Sequence, residues 1–191
     1  GSTFKTVSLL AAMDDGFIDE NTRINVGDGH WRYFEQNISD SHVKGNGNYD
    51  ISDILAESSN VGASKIITKH YGSDPKIFIN HLKKWKMFDK MQIELPGIAR
   101  PSIMTPENKK WSKGTLASLG FGYASSFSIL QLVTFYNGIA NKGKMVKPLF
   151  IEKIMKDGKV LYEAQPEIIV NKMASDEAIE LMTKMLVKTV E

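Results

Sequence analysis

Cysteine is absent from the 191 residues. That excludes disulfides, thiolate catalysis and cysteine-ligated metal, and it fits a cytoplasmic or a periplasmic protein equally. A charge surplus is absent too, with 24 Lys+Arg against 22 Asp+Glu. No basic block stands out, since Lys83, Lys84 and Lys86 read as a solvated helix face, so no nucleic-acid partner is expected. No apolar run approaches the ~18 residues of a membrane helix. No leader-like stretch precedes the first motif, and either feature, in a parent protein, would lie outside this chain. His30, His42, His70 and His81 follow no metal-ligand spacing and are expected at the surface or in packing. The "GFG" of Gly120 to Gly122 lacks the residues that would make it a phosphate loop.

What is present is the balance of a globular domain: 42% hydrophobic and 24% charged residues, on a chain long enough to bury a core. "TFKTVSLLAAMDDG" is apolar on nearly every side and reads as a buried helix with Gly16 as its C-terminal cap. Asp14 and Asp15 lack calcium-loop spacing and read as solvated. Asp50 and Asp53 predict a capped short helix over "ISDILAE". A second helix is expected from about Val61 to His70, and a third from Asp74-Pro75 with Pro75 at its first position. "SILQLVTFYNGIANKG" opens on a Ser128–Gln131 capping box, and a last helix starts near Ser175. Two small hairpins are expected, one about the Gly-Asp-Gly of "TRINVGDGHWRYF" and one turning at Asp157-Gly158. "IELPGIARPSIMTPENKKW" reads as a long loop. Phe121, Tyr123, Phe127, Phe135 and Tyr136 read as core, with one or two lining a cleft. The sum is five or six helices and no large sheet, a predominantly helical α+β chain.

The candidate chemistry begins at "GSTFK". Ser-x-x-Lys occurs three times, at Ser2–Lys5, Ser41–Lys44 and Ser73–Lys76, but only the first opens a buried helix. Residues three apart share a helix face, and a helical side chain leans toward the N-terminus, so Lys5 would lean onto Ser2. Free N–H groups at that end can hold a developing oxyanion. A serine needs a base to become a nucleophile, and lysine serves only when burial or a nearby cation keeps it neutral. Read alone, the motif favours a plain helix cap at Ser2 over catalysis. "ESSNVG" places Ser58 two residues before Asn60, between two helices. There Ser58 could relay a proton and Asn60 could hold an amide, or the serine could simply cap the helix before Val61.

The order of "GSTFK", "SSNVG", "LPG", "KKWSKGTLASLGFGY", "LQLVTFYNGIANKGKMVKPLF" and "ELMTKMLVKTVE" resembles, along nearly all of the chain, the transpeptidase domain of class B penicillin-binding proteins. Its texture is similar to the division-type enzymes of the Bacteroidetes. The resemblance implies that Ser2 attacks the penultimate D-Ala carbonyl of a peptidoglycan stem peptide ending in D-Ala-D-Ala, releasing D-Ala. Lys5 would be the base, Ser58 a proton shuttle and Asn60 a substrate ligand, and an amine on a neighbouring stem would take the acyl group. β-Lactams would acylate the same serine. No metal or organic cofactor is implied. The parent would be anchored at the periplasmic face of the inner membrane and work beside a glycan-polymerising partner.

Two departures stand out. Ile98 follows "LPG" where the family usually has glutamate, and no Lys-Thr-Gly occurs, since Lys113-Gly114-Thr115 has the wrong order and Lys188-Thr189-Val190 lacks the glycine. The expectation is therefore a single partial domain over 1–191. It would be the helical part of the β-lactamase/transpeptidase-like fold, with the strands before Ser2, the Lys-Thr-Gly strand region and most of the central sheet missing. The first helix should then be the most buried element yet incompletely covered, and the fragment should self-associate through it. A β-lactam sensor or β-lactamase, or a non-catalytic helical interaction module, are the other readings.

Overall fold

The computed structural model describes residues 1–190. A 3-10 turn over Ser2–Phe4 runs directly into α1 (Lys5–Asp14). Every residue of α1 from Lys5 to Met13 is buried, because a helix with no polar face has to be wrapped on all sides. α2 (Ile51–Ala56), α3 (Asn60–Tyr71) and α7 (Asp176–Val190) pack around it. The expectation of an incompletely covered first helix is thus corrected, since α1 is covered from Lys5 to Met13.

Local signals set most helix ends. Asp50 accepts from the Asp53 amide and Asp53 reaches back to the Asp50 amide, the reciprocal box that starts α2. Pro75 occupies the first turn of α4 (Pro75–Lys84) after its cap Asp74. Ser128 and Gln131 cap α6 (Ile129–Ala140) in the same reciprocal way. A seventh helix, α5 (Lys113–Gly120), was not expected. It starts on a Ser112–Thr115 box, and two glycines in its eight residues mask its helical character. α5 packs along α3, with Ser64 Oγ donating to the Ala117 carbonyl at 2.9 Å.

The strands form five separate two-stranded ribbons among the described residues, where two hairpins were expected. β1 (Arg23–Asn25) pairs antiparallel with β4 (Asn48–Asp50), and β2 (His30–Tyr33) with β3 (Gln36–Ser39). The Gly-Asp-Gly stretch therefore closes no hairpin; β2 turns at Phe34-Glu35, with Phe34 left-handed at φ 51°. Gly47 lets the β1–β4 ribbon continue, since a Cβ there would lie 2.2 Å from the Gly27 carbonyl oxygen. β5 (Ser102–Ile103) pairs with β6 (Ser125–Ser126) across the long loop, and β7 (Met145–Val146) with β10 (Ile168–Val170). The hairpin of β8 (Lys153–Lys156) and β9 (Lys159–Glu163) turns at Asp157-Gly158 as expected, both residues at positive φ.

Asp14 and Asp15 are not merely solvated but engaged by other elements. Asp15 accepts from the Tyr71 hydroxyl at 2.7 Å and meets His81 Nε2 at 2.9 Å, and Asp14 accepts from the Ser175 amide and Lys84. Acids at a helix C-terminus oppose its dipole, and these bonds offset the conflict while tying α1 to α3, α4 and the start of α7. Tyr123 is 78% exposed rather than core.

Candidate active site

The Ser2–Phe4 turn fixes where Ser2 points. Its hydroxyl caps nothing; Lys5 Nζ donates to Ser2 Oγ at 3.0 Å. The same nitrogen donates to Ser58 Oγ at 2.8 Å and to the Ser58 carbonyl at 2.6 Å. The Ser2–Lys5 pair and Ser58, which belong to two different motifs of the sequence, thus meet at one ammonium group. Lys5 is 1% exposed, and burial lowers its pKa from the ordinary 10.5 to about 8, with the Asp40 carboxylate pulling partly back.

Ser58 owes its position to a tight turn between α2 and α3, where it is left-handed at φ 55°. Neither Ser58 nor Asn60 is the cap of α3. That is Ser59, whose Oγ accepts from the Gly62 amide at 2.8 Å, which leaves the Ser58 hydroxyl to Lys5. Asn60 opens α3 and donates one amide N–H to the Ser39 carbonyl at 2.7 Å. It makes no hydrogen bond to Ser2, Lys5 or Ser58, so of the four expected residues three are joined and the fourth stands beside them.

The sequence reading assigned no place at the site to three further residues. Asp40, directly after β3, accepts from Ser59 Oγ at 2.7 Å and from the Val61 amide at 2.9 Å. Tyr136 of α6 donates to the Thr3 carbonyl at 2.9 Å and bonds Thr6 Oγ1 at 2.7 Å. Its phenol pKa is raised by burial, which keeps it a donor. Gly122 (φ 86°) abuts the Ser2 turn so closely that a Cβ would lie 2.6 Å from the Gly1 carbonyl oxygen and from Phe4 Cβ. No local pattern marks Asp40 or Tyr136, whereas the glycine pair of "GFG" was visible with its purpose hidden.

The sequence matches, over residues 1–191, the family described as penicillin binding protein transpeptidase domain. The chain belongs to this family. Its transpeptidase-domain relatives include penicillin-binding protein PbpB of Mycolicibacterium smegmatis, 28% identical over all of this chain and 28% of that protein. Peptidoglycan D,D-transpeptidase FtsI of Buchnera aphidicola is 32% identical over 81% of this chain and 25% of its own length. The chain therefore spans about a quarter of these curated relatives. Among solved structures, penicillin-binding protein 3 of Mycobacterium tuberculosis, complexed with aztreonam, superposes with a TM-score of 0.83 at 25% identity, over all of this chain and 41% of that one. The transpeptidase domain of Burkholderia pseudomallei penicillin-binding protein 3 gives 0.81 at 23%, over all of this chain and 53% of that one, a likeness of fold.

Two hollows flank the transpeptidase-domain core. A cleft of about 200 Å³, lined by Gly1, Thr3, Phe4, Gly122, Ser125 and Phe127 among others, borders the Ser2 turn. A larger cavity of about 350 Å³ lies between the segment after α4 and the β7–β10 ribbon, floored by Trp85 and Met145. Ser2, Lys5, Ser58 and Asn60 line neither hollow, although Gly1 and Thr3, the neighbours of Ser2, line the smaller one.

Proposed function

We propose that Ser2 is the nucleophile of a peptidoglycan D,D-transpeptidase, and that this chain is the helical part of its catalytic domain. The observation that carries the reading is the single buried ammonium of Lys5 shared between Ser2 Oγ and Ser58 Oγ. With a pKa of about 8, roughly one lysine in ten is neutral at pH 7. That is close enough to working pH for a general base. Neutral Lys5 takes the Ser2 proton as Oγ attacks the penultimate D-Ala carbonyl. Ser58, bonded to the same nitrogen, passes the proton to the departing D-Ala amine, and Asn60 offers its remaining amide groups to the substrate. An amine of a second stem peptide then displaces Ser2 and completes the cross-link. A β-lactam follows the first half of this path and stays on Ser2.

The same reading puts the intact protein at the periplasmic face of the membrane beside a glycan-polymerising partner; within the described residues no helix is long and apolar enough to span a membrane. It also includes self-association of the isolated chain, through α6 rather than α1.

The test is labelling of the intact protein by a fluorescent penicillin, with the adduct located by peptide mass. The adduct is expected on the Ser2 peptide, absent in Ser2→Ala and slowed about a hundredfold or more in Lys5→Met. A label that persists through a long chase fits a transpeptidase. Rapid hydrolysis would favour a β-lactamase, and no Ser2 adduct at all would leave a non-catalytic helical module.

A further inference from the structure

The Ser58 turn is an unlikely shape for its sequence. A serine at φ 55° is strained unless its neighbours over-determine it, and one carboxylate does so. Asp40 accepts from the hydroxyl of Ser59 and from the backbone amide of Val61, the residues that follow Ser58. Ser59 in turn caps Gly62, so the Asp40 carboxylate grips the first turn of α3 at two points. The consequence falls on Ser58: both its hydroxyl and its carbonyl face Lys5 Nζ, at 2.8 and 2.6 Å. We propose that Asp40 is the positioning residue of this site, clamping the Ser58 turn onto Lys5 and supplying the negative charge that stabilises the lysine ammonium once it has taken the Ser2 proton.

The inference rests on the reading of Ser2 as nucleophile and Lys5 as base, but its two parts can be read without turnover. Lys5 faces Ser2 from its own turn, Ser58 from the α2–α3 turn, and the Asp40 carboxylate, the charge that acts on it against the effect of burial. The other charges near that turn, His42, Lys44 and Glu57, pair with one another on its outer side. Desolvation alone would make the lysine a weaker base. A nearby carboxylate restores proton affinity, and base strength matched to the working pH is what general-base catalysis needs.

Two substitutions separate clamp from charge. Asp40→Asn keeps an oxygen for the Val61 amide and an N–H for Ser59 Oγ while removing the charge. Ser59→Ala keeps the charge and removes one grip. The intact protein, with lysines labelled at 13Cε and Lys5 assigned through Lys5→Gln, is titrated by NMR. Amide exchange over 58–62 and the pH profile of β-lactam acylation are followed alongside. In Asp40→Asn the Lys5 midpoint and the acid limb of acylation should both move to lower pH by about half a unit to one unit, with the Val61 amide still protected. In Ser59→Ala the midpoint should stay, exchange over 58–62 should rise about tenfold or more, and acylation should fall roughly tenfold to a hundredfold. An unmoved Lys5 midpoint in Asp40→Asn overturns the charge role, and unchanged exchange in Ser59→Ala overturns the clamp. Should the wild-type protein never be acylated, the reading of Ser2 fails, while the titration and exchange data still decide the role of Asp40.

Discussion

Lys5 is a buried cation, and its proton is held less tightly in the folded chain than in the unfolded one. Between about 8, its folded pKa, and its ordinary 10.5, the unfolded state binds more protons, so stability rises with pH across that window. Below about 8 the penalty of burying the charge is fully present, at most about 3 kcal/mol for the shift. Denaturant midpoints measured at pH 7.5 and pH 10 should therefore show a rise that disappears in Lys5→Met. A slope that survives in Lys5→Met would assign it to another group. Gly122 shapes the same site by what it lacks. Gly122→Ala places a methyl against the Gly1 carbonyl and Phe4 in a left-handed position, costing roughly 1–3 kcal/mol. Because the displaced backbone carries Ser2, penicillin labelling should fall about tenfold or more. Thermal melts and labelling rates measured together check both halves.

α1 is anchored at both ends, to the Ser58 turn by Lys5 and to α3, α4 and α7 by Asp14 and Asp15. Asp15 is the node of the second anchor, since Tyr71 and His81 both reach it. Tyr71→Phe removes one charge-assisted bond and should cost about 1.5–3 kcal/mol. Asp15→Ala orphans two buried polar groups and should cost more, with chemical denaturation of both variants as the measurement; a smaller loss in Asp15→Ala would refute the node. Elements whose signals lie within four residues were legible in the sequence: the Asp50–Asp53 and Ser128–Gln131 boxes, Pro75, and the Asp157-Gly158 turn. So was the shared face of Ser2 and Lys5. What depends on partners distant in sequence was not. The β1–β4 pairing bridges more than twenty residues, and its glycines look like a hairpin until Gly47 is seen to need the close approach. Asp14 and Asp15 look solvated because Tyr71 and His81 lie a helix away in space but more than fifty residues away in the chain. Asp40 sits in a loop with no motif at all, although it grips the very turn that the Ser58–Asn60 spacing flagged.

Across the molecule, burial is unevenly shared. α1 is wrapped by helices, whereas α6 turns Ile129, 82% exposed, and Val133, 54% exposed, outward. With Leu132, Tyr136 and Ala140 they line a shallow apolar groove that reaches Thr3 in the Ser2 turn. Burying several such side chains stabilises association by about 25 cal/mol per Å² before the entropic cost of pairing. The β8–β9 hairpin adds exposed Met155 and Leu161 but is exposed along both of its strands, and a two-stranded ribbon is too weakly held to organise an interface. Self-association of the isolated chain should therefore run through α6. Sedimentation velocity should show a concentration-dependent dimer for the wild-type chain. The double substitution Ile129→Glu, Val133→Lys should return it to monomer with its helical circular dichroism intact, because exposed positions tolerate such changes within about 0.5 kcal/mol. A wild-type chain that stays monomeric at high concentration, or a double variant that dimerises as before, would remove α6 from that role.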